Sequence, residues 1–141
     1  MTKRIDGHGG LRPARLTMAI LTSCLIAGSL GAEPVPPAMV HVVDGDTIDV
    51  RGERYRLVGF DTPETWNPRC AYERALGETA TARLVDLIGS GRVVDLVVLP
   101  GRDRYDRGLA RLFIGGSDVK DVLIAEGLAR AYDGGRRAGW C

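Results

Sequence analysis

Five short β-rich runs, with one long helical period between the third and the fourth, predict an α+β domain dominated by β structure. That order belongs to a partly open, five-stranded OB-type barrel, with a helix between strands 3 and 4 and a second helix after strand 5. Turn residues at Asp44-Gly45-Asp46, Arg51-Gly52-Glu53, Pro100-Gly101 and Gly115-Gly116 punctuate the runs. A small α+β domain with an open sheet is the alternative, and the strand count favours the barrel.

Residues 40–43 and 47–50 are β-branched and flank a tight turn, the signal of a hairpin. Residues 55–60 form the third strand, ended by Thr62-Pro63 because proline cannot donate to a ladder. Its alternation sets Tyr55, Leu57 and Gly59 on one side and Arg56, Val58 and Phe60 on the other. Leu76, Ala80, Leu84 and Ile88, widened by Leu87, place one apolar stripe on a helix over residues 72–88. Residues 92–99 and 109–114 give strands four and five. Residues 119–126 give the second helix, with Ser117 or Asp118 at its N-cap.

The 141 residues divide into a leader over 1–32, a Pro-rich linker over 33–38 and one domain over 39–141. Lys3, Arg4, Arg12 and Arg15 precede an apolar stretch and then small residues, the order of a signal peptide or signal anchor. The stretch falls short of the roughly 20 strongly apolar residues of a spanning helix. Secretion or export to the periplasm is therefore expected. Leu21-Thr22-Ser23-Cys24 also resembles a lipobox, which would instead lipidate Cys24, although the apolar run continues past it.

The whole chain carries 19 basic and 18 acidic residues; the leader removes four and one, leaving 15 against 17, or net −2. No global field draws such a domain to a polyanion, so any attraction is local. Arg102, Arg104, Arg107 and Arg111 are clustered enough to supply it, or form an ordinary solvated hairpin. Cys70 and Cys141 remain as an even pair, which in an exported protein suggests a disulfide; two free thiols are the alternative. His8 lies in the leader, and His41 falls in an alternating strand where a packed or half-exposed structural role is the default.

Three fragments carry the chemistry. Asp44-Gly45-Asp46-Thr47 brings two carboxylates into a turn, Arg56 precedes Asp61-Thr62-Pro63-Glu64, and Asp103-Arg104-Tyr105-Asp106-Arg107-Gly108 adds an arginine beside a tyrosine. Oxygen ligands, a base and two planar cations are what metal-assisted attack on a phosphodiester requires. Each fragment alone has a plain structural reading: a hairpin turn, a loop acid, a hairpin arginine paired with Asp103 or Asp106.

In order and spacing these fragments, with Leu123-Ile124-Ala125-Glu126-Gly127-Leu128-Ala129 after them, resemble the staphylococcal nuclease-like (thermonuclease) family over residues 39–133. The resemblance implies an exported Ca²⁺-dependent nuclease acting on DNA and RNA with little sequence preference, leaving 3′-phosphate ends. It implies that Asp46, Asp61 and the carbonyl of Thr62 hold the Ca²⁺, with Asp44 just outside. Glu64 then becomes the general base, and Arg56 and Arg107 the phosphate-holding cations. Tyr105 matches a tyrosine packing near the nucleotide, Tyr132 is either a second or a core residue, and Arg104 joins them as a substrate-binding cation. A non-catalytic OB module binding nucleic acid or protein is the alternative, and a monomer is the default.

Three departures stand out. Asp106 replaces the glycine common in the third motif, Trp66, Asn67, Pro68 and Cys70 replace a lysine-rich loop, and a full third helix is missing before Trp140-Cys141. The terminal disulfide could substitute for the packing of that helix.

Overall fold

The structure is a computed structural model and describes Thr2 and residues 31–141. The expected leader, Cys24 and His8 lie outside the described residues. Nine strands, a short 3₁₀ turn and two helices follow one another among the described residues. They are β1 (Glu33–Pro34), the turn Pro37–Met39, β2 (Val40–Asp44), β3 (Thr47–Val50), β4 (Glu53–Leu57), β5 (Gly59–Asp61) and α1 (Ala71–Ile88). After α1 come β6 (Val94–Arg102), β7 (Gly108–Ile114), β8 (Ser117–Asp118), α2 (Val119–Ala125) and β9 (Arg130–Tyr132).

The main sheet runs β1-β6-β7-β4-β3-β2, with β8 added to β7, while β5 and β9 form a separate pair. Read as five principal strands, this is the expected barrel order, with β4 and β5 together serving as the third. The sheet curls as a half-barrel: within the described residues the ladder ends at β2, and β6 takes β1 as its outer neighbour. Antiparallel pairing joins β2 to β3, β3 to β4 and β6 to β7; β4 and β7 run parallel.

Strand three differs from its expected single alternating run. Gly59 adopts φ +90°, a conformation that side chains resist, and breaks the strand after Leu57. The break lets both Leu57 and Phe60 turn into the core, each 1% exposed, so strict alternation fails. β5 can then leave the main sheet and pair with β9, setting Gly59 opposite Tyr132 and Asp61 opposite Arg130.

The core gathers Ile48, Leu57, Phe60, Leu84, Leu112, Ile114, Val119 and Leu123 between the curled sheet and the two helices. Each such side chain contributes about 1.5–3 kcal/mol by leaving water. Helix α1 buries Ala80, Leu84, Leu87 and Ile88 as its stripe predicts, while Leu76 stays half-buried. At its N-terminal end Gly77 lets the helix approach the Thr62-Pro63-Glu64 turn, since a Cβ there would stand 2.6 Å from the Pro63 carbonyl. Helix α2 is capped by Asp118, which accepts from Lys120 N at 2.9 Å.

The Pro-rich segment is packed where a linker was expected. Glu33 and Pro34 lie against Leu96 and Asp95 of β6, and Val35 N donates to Val94 O at 2.8 Å. Proline is tolerated because this is an edge strand. His41 sits on the exposed side of β2, in place of the packed or half-exposed setting expected. A disulfide joins Cys70, the N-cap of α1, to Cys141, with Cα atoms 6.1 Å apart. The tail before it is held by Trp140, which is buried under the Arg130 guanidinium at 3.7 Å, and by Arg130 donating to Gly139 O. Among the described residues no helix is long and apolar enough to cross a membrane.

Candidate active site

The β2–β3 turn places Asp46 at the mouth of the half-barrel, and neighbouring backbone fixes it there. Asp46 N donates to Asp44 Oδ1 at 3.0 Å, and Asp46 Oδ2 accepts from Thr62 N at 3.2 Å. Gly45 permits this closure, because a Cβ on it would meet the Thr62 side chain at 2.8 Å. The turn after β5 is thereby locked onto the turn after β2. Asp44, Asp46, Thr62 and Glu64 all line one cavity of about 260 Å³.

Arg56 lies on β4 opposite Thr47, and its side chain is almost fully buried. Its cost of burial is offset inside the fold, since every donor direction used has an acceptor. Nη1 meets Asp46 Oδ2 at 2.9 Å and donates to Leu57 O at 2.7 Å; Nη2 donates to Phe60 O at 2.8 Å and stands 3.6 Å from Asp61 Oδ1. The contact with Asp61 is therefore weak and none is made with Glu64; Asp46 is the principal counter-ion.

Arg107, the residue before β7, reaches the same cavity as Glu64. Its Nε bonds Asp103 Oδ2 at 2.7 Å and its Nη1 donates to Thr47 Oγ1 at 3.0 Å. Burial alone would push the Asp103 carboxyl up, but N–H donors from Arg107 and Tyr105 and the Arg107 charge hold it below its usual range. Asp106, in the left-handed region at φ 61°, turns its carboxylate to solvent, where it pairs with Arg102 at 2.6 Å. The extra anion thus points away from the cleft.

Tyr105 is 63% exposed, with the Arg104 and Arg107 guanidinium groups 4.7 and 5.4 Å from its ring centre. Arg104, Tyr105 and Arg107 line the small cavity and also a larger cleft of about 870 Å³. Arg56 and Tyr132 line that larger cleft. Tyr132 is half-buried and donates to Gly135 O at 2.8 Å, so it forms a wall rather than part of the core.

One cationic residue at the site was missed by sequence reasoning. Arg137 stands between the acids, with Nε 3.1 Å from Asp61 Oδ1 and Nη1 2.8 Å from Glu64 Oε1, and it lines both cavities. Burial works against its charge, yet Asp61, Asp46 and Glu64 outweigh that and raise its pKa. The one signal in the sequence was the cysteine pair: a bond between Cys70 and Cys141 brings the tail that carries Arg137 into the region of the chain that follows Glu64.

The donor set suits a hard cation. Asp61 Oδ1 is buried and accepts no hydrogen bond, its approach to Arg137 Nε being an ion-pair contact only, and the carboxyl is pushed up by burial despite nearby Arg137 and Arg56. Asp44 is raised to about 6 by burial and by the adjacent Asp46 charge. Carboxylates gathered this closely, with arginines as their present counter-ions, favour a cation with oxygen ligands and retained water. Within the described residues, however, no three His, Cys, Asp or Glu side chains converge as a complete cage. Protein oxygens could supply only part of a coordination shell.

Comparison with known proteins bears on the chain as a whole. The family model described as staphylococcal nuclease homologue matches residues 54–138. The SPbeta prophage-derived endonuclease YokF of Bacillus subtilis (strain 168) is 37% identical over 103 residues, 70% of this chain and 34% of that protein. The thermonuclease of Staphylococcus intermedius is 37% identical over 95 residues, 64% of this chain and 56% of that protein. The succinoglycan biosynthesis protein ExoI of Rhizobium meliloti (strain 1021) is 34% identical over 125 residues, 85% of this chain and 64% of that protein. The chain thus spans less than two thirds of the length of each of these relatives.

Proposed function

Since the chain belongs to the staphylococcal nuclease homologue family, we propose that it is a Ca²⁺-dependent nuclease hydrolysing DNA and RNA with little sequence preference, exported to the periplasm or beyond. The observation that carries the reading is the shared cavity: Asp46, Thr62, Glu64 and Arg107 face one space, continuous through Arg104 and Tyr105 with an aromatic-walled cleft. Names of relatives that are endonucleases and thermonucleases support the same chemistry.

Asp46, Asp61 and the Thr62 carbonyl would hold the cation, with Asp44 behind them. When bound, it supplies Lewis acidity that polarises a phosphate oxygen and acidifies water. Glu64 accepts a proton from the attacking water as its oxygen bonds phosphorus. The P–O5′ bond breaks, the 3′-phosphate remains, and the 5′ oxygen is protonated from solvent. Arg107 donates to equatorial oxygens whose charge grows in the transition state, where such donors raise the rate. Arg56 serves differently: its bonds to Asp46 and to backbone carbonyls make it first an organiser of the acid pair, and phosphate binding requires it to exchange one of those contacts. Tyr105 and Tyr132 offer faces on which any base can stack, which suits single-stranded substrate.

Purified protein should degrade single-stranded DNA with Ca²⁺, stop on chelation, and lose most activity in Glu64→Gln and Arg107→Ala. Undiminished digestion by the double variant would overturn the assignment. A chain that binds oligonucleotides yet never cleaves them would instead be the non-catalytic module.

A further inference from the structure

Glu64 is half exposed on a turn, and among the described residues its sole hydrogen-bonding and ion-pair partner is Arg137. A base on such a turn samples several rotamers unless something holds it. Arg137 hydrogen-bonds Glu64 through Nη1 and stands at ion-pair distance from Asp61 through Nε, so one planar group spans the two acids. A guanidinium can make that two-point contact; a lysine ammonium, as a compact point charge on a flexible stem, does not span it in a fixed plane. Only Oε1 of Glu64 is engaged, which leaves Oε2 for water.

Arg137 belongs to no helix or strand of its own. It is delivered by the tail, which is anchored by Trp140 under Arg130, by Gly139 O on Arg130, and by the Cys70–Cys141 bond. The other end of that bond caps α1, the helix whose Gly77 touches the Pro63 carbonyl beside Glu64. Both partners of the Arg137–Glu64 contact are thus referred to one covalent link.

We infer that Arg137 is a positioning residue that orients Glu64, and that the Cys70–Cys141 disulfide is what delivers it, which makes the site sensitive to reduction. The inference rests on the nuclease reading, and the experiment separates the two. Steady-state cleavage of single-stranded DNA is measured for Arg137→Ala, Arg137→Lys, Glu64→Gln, Cys70→Ser/Cys141→Ser and their combinations, with Ca²⁺ affinity measured by calorimetry in parallel.

Arg137→Ala lowers kcat about tenfold to a hundredfold, the scale of a misplaced group, with KM and Ca²⁺ affinity nearly unchanged. It causes no further loss in the Glu64→Gln background, because the two act as one unit. Arg137→Lys restores little. Removing the disulfide, or reducing the intact protein, lowers kcat to a similar extent but adds nothing once Arg137 is alanine.

Full activity in Arg137→Ala, or tighter Ca²⁺ binding with raised kcat, would show a mere counter-ion that the cation displaces, and would end the proposal. Full rescue by lysine would leave only a charge effect. A disulfide-free protein of normal kcat would refute the delivery step even if Arg137 matters. If Glu64→Gln itself is fully active, the nuclease reading fails, whatever Arg137 does.

Discussion

Arg107 donates from Nη1 to the Thr47 hydroxyl at 3.0 Å, and that hydroxyl donates onward to Asp46 Oδ1 at 3.2 Å. Arg107 is therefore tied to Asp46 through one buried threonine, 2% exposed. Replacing Thr47 by valine keeps the shape and removes the tie. We expect about 1–3 kcal/mol of lost stability and severalfold lower kcat/KM, with the fold retained. Chemical denaturation and steady-state cleavage check both; unchanged activity would show that the tie is incidental.

Arg56→Ala strands the buried carboxylate of Asp46 without its counter-ion. Breaking a buried pair on one side costs about 3–5 kcal/mol. A divalent cation at the acids would replace part of the missing charge. The deficit of this variant should therefore shrink on adding Ca²⁺, as read from unfolding with and without chelator.

Gly45→Ala forces a methyl group into the Thr62 side chain. The β2–β3 turn must then separate from the turn after β5, loosening the Thr62 N to Asp46 contact. Overpacking of this kind costs about 1–3 kcal/mol. Calorimetric Ca²⁺ affinity should fall together with stability; loss of stability alone would detach this contact from the metal site.

Asp44 titrates near 6 in the folded chain against an ordinary 3.8, so the folded state binds that proton more tightly than the unfolded chain. Its ionisation costs stability progressively from about pH 4 to about pH 6, and above that the cost is complete. Asp44→Asn keeps an acceptor for Asp46 N and removes the charge. In chelator, its thermal advantage over the parent should be absent below pH 4, grow through that window and then level off. A difference independent of pH would assign the effect elsewhere.

Thiol titration of denatured, unreduced protein should find no reactive cysteine among Cys70 and Cys141. Closing a loop of this length contributes on the order of 4 kcal/mol in the chain-entropy account, often less in practice. Cys70→Ser/Cys141→Ser should lower the unfolding midpoint accordingly.

What could be read from sequence was what is written locally. The Asp44-Gly45-Asp46 turn, the Leu84 stripe of α1 and the order of the strands each sit within a short window, and each window carried its own turn or period. The acids and arginines followed, because they ride on those elements. Gly59 defeated the alternation of strand three, since a single positive φ re-aims all that follows it. The counter-ion of Arg56 is not legible locally, because Asp46 reaches it from across the hairpin. Arg137 has no pattern of its own; only tertiary closure through the tail brings it to Glu64.

The two-residue strand Glu33–Pro34 has a wider consequence. By occupying the outer flank of β6 it withholds a row of backbone donors and acceptors that would otherwise recruit another chain. A version trimmed to begin at Met39 would bare that flank along with the pocket filled by Val35, and would be driven toward clumping rather than simple loss of activity. The proline-rich segment should thus keep that flank from self-association, an effect that light scattering would register and an assay of the cleft would not.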